Sequence, residues 1–294
     1  MQLLYNATPV QEIRHKLVES AGVSLFIKRE DLNHPLVTGN KWWKLKHNLL
    51  QAQLEQKPTL LTFGGAFSNH IYATAAATHE LGLNSIGIIR GEETTPLNPT
   101  LTFATAQGMQ LHYVSREDYR RKNDPIFLEE LTRRFGNSFI VPEGGSNALA
   151  VKGCEEFAKS LPADVDTICL PVGTGGTIAG IINGSPAEKR ILGFSSLKGG
   201  NFLYDDVKQW LNNKEAANWH IETRYHFGGY AKHTPELISF MQEFAETTRV
   251  VLDIVYTAKM MFGLFDLIKQ QHFPKGSRIL AIHTGGLQGN PVYL

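Results

Sequence analysis

The 294 residues carry a formal net charge of +1, with 19% charged and 42% hydrophobic residues. That length allows about two domains or one large α/β unit with a substantial core. The near-neutral balance, with no long run of one sign, gives no electrostatic case for nucleic-acid or membrane-surface binding, and no stretch approaches the ~18 uninterrupted apolar residues of a membrane span.

In chain order, short apolar and β-branched runs alternate with helix-length segments. Strands are predicted at 23–30, 59–65, 84–91, 110–115, 138–145, 166–176, 190–196, 221–226 and 278–286. Helices are predicted at 41–56, 69–82, 98–108, 117–135, 147–160, 177–183, 199–213, 235–247 and 257–271. This order implies βαβ units with parallel sheets covered on both faces. No tandem repeat, low-complexity tract or linker divides the chain, so two domains would have to be intertwined. The N-terminal "MQLLYNATPVQEIRH" lacks the charged-then-apolar order of a secretory signal. The two cysteines, Cys154 and Cys169, suggest neither a disulfide scaffold nor a metal motif and read as small buried residues in a reducing cytoplasm. Without HExxH or CxxC among the eleven histidines, no zinc site is expected.

"TGNKWWKLKHNLL" (38–50) opens the first long helix. Trp42, Leu45 and Leu49 share one face at i, i+3, i+7, and Lys41, Lys44 and Asn48 share another. A lysine face is ordinarily solvated, but several strands end in glycine turns where an α/β sheet places its ligand. "PVGTGGTIAG" (171–180) runs from a strand through Gly173, Thr174, Gly175, Gly176 and Thr177 into a helix, which is either a tight turn or a cradle for one phosphate. Its glycine spacing fits neither the dinucleotide fingerprint nor the P-loop, which argues against a nicotinamide dehydrogenase. "FGGAFSNHIYATAAA" (63–77) repeats the design, with Ser68 and Asn69 as helix cap or as a carboxylate pocket. A lysine facing a phosphate cradle and a carboxylate cradle suits an amino acid joined to pyridoxal phosphate (PLP).

"KREDLNHPLVTGNKWWKLK" resembles a segment of the D-cysteine desulfhydrase and 1-aminocyclopropane-1-carboxylate (ACC) deaminase family, PLP enzymes of the tryptophan-synthase-β class. "GGAFSNH", "PEGGSNALA", "PVGTGGTIAG", "DIVYTAKMMFGL" and "HTGG" continue the likeness in family order over nearly the whole chain. The resemblance implies two α/β domains around a cofactor cleft, a large one from 1–45 plus 146–294 and a small one inserted at 46–145. It implies a small amino-acid substrate, a homodimer, and no nucleic-acid or membrane partner. The family's Schiff-base lysine falls on Lys41, its phosphate-contacting lysine on Lys44, and its phosphate loop on Gly173 to Thr177. Ser68 falls near the substrate carboxylate, and Asn69 where the family bonds the cofactor's phenolic oxygen. Two active-site tyrosines fall on Tyr230 and Tyr256.

The departures bear on substrate. ACC deaminases have Glu after the second tyrosine and Leu in "HLGG"; here the residues are Thr257 and Thr284. Small hydroxyl residues at both places are the desulfhydrase pattern, and one of the two is expected to bond the pyridine nitrogen. The resemblance therefore implies β-elimination from D-cysteine to pyruvate, ammonia and sulfide, with ACC or another amino-acid deamination as the alternative and a non-catalytic PLP binder as a further one. Phe67 stands where the family usually has a glutamine that helps hold the carboxylate. Trp42 and Trp43 replace smaller or basic residues beside the lysine. These three leave the shape of the substrate pocket open, and a pocket blocked behind Phe67 and Trp42 would favour the non-catalytic binder.

Overall fold

The computed structural model of the protein describes residues 3–291. The chain begins with β1 (Val10–Glu12), α1 (Lys16–Ala21) and β2 (Ser24–Lys28), then enters α2 (Asn40–Leu54). Next come β3 (Thr59–Gly64), α3 (Asn69–Glu80), β4 (Asn84–Arg90), α4 (Pro99–Ala106) and β5 (Met109–Val114). After α5 (Arg116–Arg120), α6 (Pro125–Phe135) and β6 (Ser138–Val141), α7 (Ala148–Lys159) leads to β7 (Thr167–Val172). The remainder is α8 (Gly176–Gly184), β8 (Arg190–Ser195), α9 (Leu203–Lys208), β9 (Trp219–Glu222), α10 (Pro235–Thr248), α11 (Thr257–Lys269) and β10 (Arg278–Ile282).

These strands form two sheets. The larger has the order β1-β2-β10-β7-β8-β9 and the smaller β5-β4-β3-β6. Every pairing is parallel except β1 with β2. Strand β10, from the end of the chain, pairs with β2 from its beginning. The larger sheet thus gathers strands from both ends, and the smaller is built only from residues 59–141.

Alternation along β10 shows how the larger sheet is buried. Leu280 and Ile282 join a core with Leu45 of α2, Phe157 of α7 and Ile181 of α8. Ile279 and Ala281 join a second core with Phe244 of α10 and Leu264 of α11. Successive side chains of a strand point to opposite faces, so an all-apolar strand needs helices on both. The cysteines follow the same rule: Cys154 lies in the first core and Cys169 in the second, both free and fully buried. The smaller sheet sets Leu61 and Phe63 against Phe127 and Leu131 of α6, and Ile89 against Leu101 of α4 and Ile71 of α3.

Each predicted strand and helix has a counterpart, with three differences. The short β1 and α1 were not anticipated, because three and six residues carry too little periodicity to register. The segment 117–135 is two helices: Pro125 disfavours a helical residue before it, and the Asp124 carboxylate caps α6 through the amides of Ile126 and Phe127. The segment 199–213 contracts to a 3-10 turn and α9; at its end the Lys214 ammonium donates to the carbonyls of Lys208 and Gln209.

Candidate active site

Helix α2 begins where no ordinary residue could sit. Gly39 has φ +67°, and a Cβ there would stand 1.9 Å from the Thr284 carbonyl oxygen. Glycine alone tolerates both the left-handed backbone and that approach. The Gly39 amide donates to the Glu30 carbonyl and to Asn33 Oδ1, and the Asn40 amide to the Thr284 carbonyl. Beneath the helix, the buried Glu30 carboxylate accepts from Trp43 Nε1 (2.7 Å), Asn33 Nδ2 (3.0 Å), Tyr5 and Thr8. Buried carboxylates persist only when so satisfied. The "KREDLN" segment is therefore a pedestal for α2, tying the lysine helix to the carboxyl end of β10.

A cavity of about 270 Å³ lies at the carboxyl ends of strands from both sheets. Lys41, Ser68, Asn69, Gly173, Thr174, Gly175, Thr177, Tyr230, Tyr256 and Thr284 all line it. Lys44 lines it too, although its side chain is otherwise buried. Lys41 Nζ donates to Asn40 Oδ1 at 3.2 Å, and Asn40 Nδ2 to Thr177 Oγ1 at 2.9 Å. Lys44 Nζ donates to Ser146 Oγ at 2.8 Å and lies 3.4 Å from Thr174 Oγ1, while the two hydroxyl oxygens are 2.6 Å apart. Burial lowers Lys41 to about 8, and burial together with the neighbouring Lys41 charge lowers Lys44 to about 7. Burial raises Tyr256 well above its ordinary value and raises Tyr230 as well; their ring centres are 6.1 Å apart, edge to face.

The turn after β7 makes an open helix end. Gly175 caps α8 at φ +77° with no side chain bonding to the first amides. Gly176 lies behind the rim rather than in the lining, and a Cβ there would meet Ser146 Oγ at 2.9 Å. Uncapped amides beside a buried amine form an anion site. Opposite, Ser68 caps α3 by accepting from the amides of His70 and Ile71. Asn69 Oδ1 accepts from Gln288 Nε2 at 2.9 Å.

The two threonines separate. Thr284 lines the cavity. Thr257 is fully buried outside the lining: its hydroxyl accepts from the Asp253 amide and donates to Asp253 Oδ1, both at 2.7 Å. Phe67 is 61% exposed and outside the cavity, and Trp42 and Trp43 are buried in the core below α2. None of these three aromatics lines the cavity.

Several residues at the site carry no sequence signal. Ser146, which bonds Lys44 and Thr174 from outside the lining, lies inside the quoted "PEGGSN", but a serine in a glycine turn reads as turn chemistry. His70 is buried with Nε2 2.8 Å from Thr62 Oγ1 and is held neutral by burial and the two lysines. Arg90 and Glu143 also line the cavity, and no periodicity signals either.

Residues 1–285 match the family described as pyridoxal-phosphate dependent enzyme. The chain belongs to that family. This PLP-dependent enzyme is 33% identical over 297 residues to the bifunctional D-cysteine desulfhydrase/1-aminocyclopropane-1-carboxylate deaminase, mitochondrial, of Arabidopsis thaliana, covering 91% of this chain and 73% of that protein. A solved structure of an ACC deaminase homologue superposes with TM-score 0.83 at 28% identity, over 98% of this chain and 92% of the other. A hydrogen sulfide-producing enzyme from Fusobacterium nucleatum shares the fold, with TM-score 0.71 at 15% identity and 98% of each chain covered. The α/β fold with parallel sheets is that of these enzymes. No helix among the described residues is long and apolar enough to cross a membrane, and no group of acidic, histidine or cysteine side chains among them could hold a metal.

Proposed function

We propose that this PLP-dependent enzyme carries out β-elimination on a small amino acid, D-cysteine first among candidates, to give pyruvate, ammonia and sulfide. The observation that carries the reading is Lys41: an amine in the cavity with a pKa near 8, beside an anion site that a second buried lysine serves. The residues fit the cofactor. The uncapped α8 amides, the turn from Gly173 to Thr177 and Lys44 Nζ match a phosphate, and glycine at 176 keeps Ser146 and Lys44 close to that turn. Asn69 would bond the phenolic oxygen. Thr284 is the hydroxyl open to a ring nitrogen, since Thr257 is engaged by Asp253.

PLP when bound supplies an electron sink for the pair left at Cα. Lys41, partly neutral near pH 8, would take the Cα proton of the bound substrate. Ser68 and the turn around it orient the carboxylate. Tyr256, backed by Tyr230, supports the reacting carbons. The Cα–H and Cβ–S bonds break, hydrosulfide leaves, and water completes the conversion to pyruvate and ammonia. A neutral hydroxyl such as Thr284 would favour elimination over transamination where it meets the ring nitrogen of bound PLP.

ACC deamination is the second reading, favoured by the bifunctional name of the Arabidopsis relative. A panel of D- and L-amino acids plus ACC, assayed for α-keto acid, separates the two: pyruvate from D-cysteine with no α-ketobutyrate from ACC is expected, and robust ACC turnover overturns the assignment. Borohydride reduction followed by peptide mapping should place the cofactor on Lys41; a label on another lysine defeats the central role given to it.

We further assign residues 1–45 with 146–294 to a large domain and 46–145 to a small inserted one, supported by the two separate sheets. A homodimer in the cytoplasm completes the reading. The buried free cysteines support a reducing compartment, and sedimentation tests the dimer.

A further inference from the structure

Strand β4 ends at Arg90, and Ile89 pairs with Gly64, so Arg90 stands beside the turn that follows β3. Its Nη2 is 3.4 Å from where a Cβ on Gly65 would lie. The guanidinium lines the same cavity as Lys41 and is stacked over the Tyr119 ring at 5.6 Å. Tyr119 is itself fixed, with its hydroxyl donating to Glu143 Oε1 at 2.7 Å. Among the described residues, no carboxylate lies within ion-pair distance of Arg90 and no acceptor takes its five N–H groups. Glu143 is the carboxylate that lines the cavity, and it is taken by Tyr119 and by Lys122 at 3.5 Å.

The turn beside Arg90 is also unsatisfied. The Ser68 amide donates to the Gly65 carbonyl, and the His70 and Ile71 amides donate to Ser68 Oγ. The amides of Ala66, Phe67 and Asn69 have no acceptor among the described residues, nor has the Ser68 hydroxyl proton. Free donors, grouped at the start of a helix with a guanidinium beside them, describe a carboxylate pocket with its charge in place.

We propose that Arg90 is the cationic anchor for the substrate's carboxylate, holding it together with the Ser68 hydroxyl and the free amides of the 65–69 turn. The proposal rests on the amino-acid substrate read above and adds the residue that gives the pocket its charge. Lys41 and Lys44 are committed elsewhere, and an arginine does not discharge on burial. Position 67, where the resemblance places a carboxylate-holding glutamine in other members, presents an outward Phe67 here. Arg90 supplies from the neighbouring strand what that position lacks.

The test uses the PLP-loaded parent, Arg90→Met and Arg90→Lys, titrated with D- and L-alanine and D-cysteine and with their carboxamides, following the cofactor's visible spectrum. The parent should bind each acid about tenfold or more tighter than its amide. Arg90→Met should weaken the acids by about tenfold to a hundredfold, the worth of a hydrogen bond to a charged group. It should leave the amides, cofactor retention and the melting temperature unchanged. Arg90→Lys should keep part of the preference. A parent without acid preference, spectral silence toward every amino acid, or an Arg90→Met protein with the parent's acid-to-amide ratio each overturns the proposal. Acid preference that disappears in Arg90→Met while no amino acid is turned over upholds Arg90 and refutes the elimination chemistry instead.

Discussion

Lys44 carries its charge to the end of a buried stem, and the hydroxyls it meets there cannot neutralise it. Without an anion the side chain favours its neutral form, with a pKa near 7 instead of 10.5. Between those values the unfolded chain holds a proton that the folded chain does not. Stability of the cofactor-free protein should therefore rise with pH across that window, and the penalty should be fully present below it. Denaturant midpoints from pH 7 to 9.5 test this, and Lys44→Met should flatten the rise. The same variant should lose roughly 1.5–3 kcal/mol of PLP affinity, the worth of a charge-assisted contact, as read by fluorescence titration. Parent-like PLP affinity would reduce Lys44 to packing. At this scale the sequence was legible where helical spacing put two lysines on one face. It was not legible at Arg90, because an arginine at a strand end is ordinarily solvated and only the pairing of β4 with β3, Ile89 beside Gly64, brings it to the cavity. Phe67 shows the same limit: which way one turn residue points is set by φ/ψ, not composition.

Among the elements, α11 depends on a residue outside it. Asp253 accepts from the amides of Val255, Tyr256 and Thr257 and from the Thr257 hydroxyl, closing the turn that delivers Tyr256 to the cavity. Asp253→Ala leaves those buried donors unpaired, at about 1–3 kcal/mol for each that finds no water. We expect a loss of about 3 kcal/mol or more, seen as a lower urea midpoint at unchanged slope; a shift under 1 kcal/mol would show that the turn holds without it. "DIVYTAK" advertised its tyrosine, but the aspartate reads in sequence as any turn residue. Conversely, the long strands and helices were legible because two-sided burial writes continuous apolar runs. The α5–α6 break was less so, since a Pro within a polar helix can be either kink or new start.

Across the whole molecule, the chain passes from the larger sheet to the smaller along α2 and returns after β6 into α7. Both crossings carry cavity residues: Lys41 and Lys44 on the way out, Glu143 and Gly144 on the way back. PLP bound between them should hold the crossings together, adding about 2.7 kcal/mol at a hundredfold excess over its Kd. Hydrogen exchange should slow at 40–46 and 143–147 on loading; protection confined to one crossing would contradict the shared grip. The crossings also touch, Lys44 Nζ to Ser146 Oγ at 2.8 Å. Helices α2 and α7 also pack directly, with the Trp43 and Phe157 rings stacked and Asn147 Nδ2 donating to Asn48 Oδ1 at 2.7 Å. About a hundred residues therefore leave and rejoin the larger sheet at adjoining points, so little loop-closure entropy separates their ends. Changes of length within that excursion would leave its two ends clasped and the lysine helix in place.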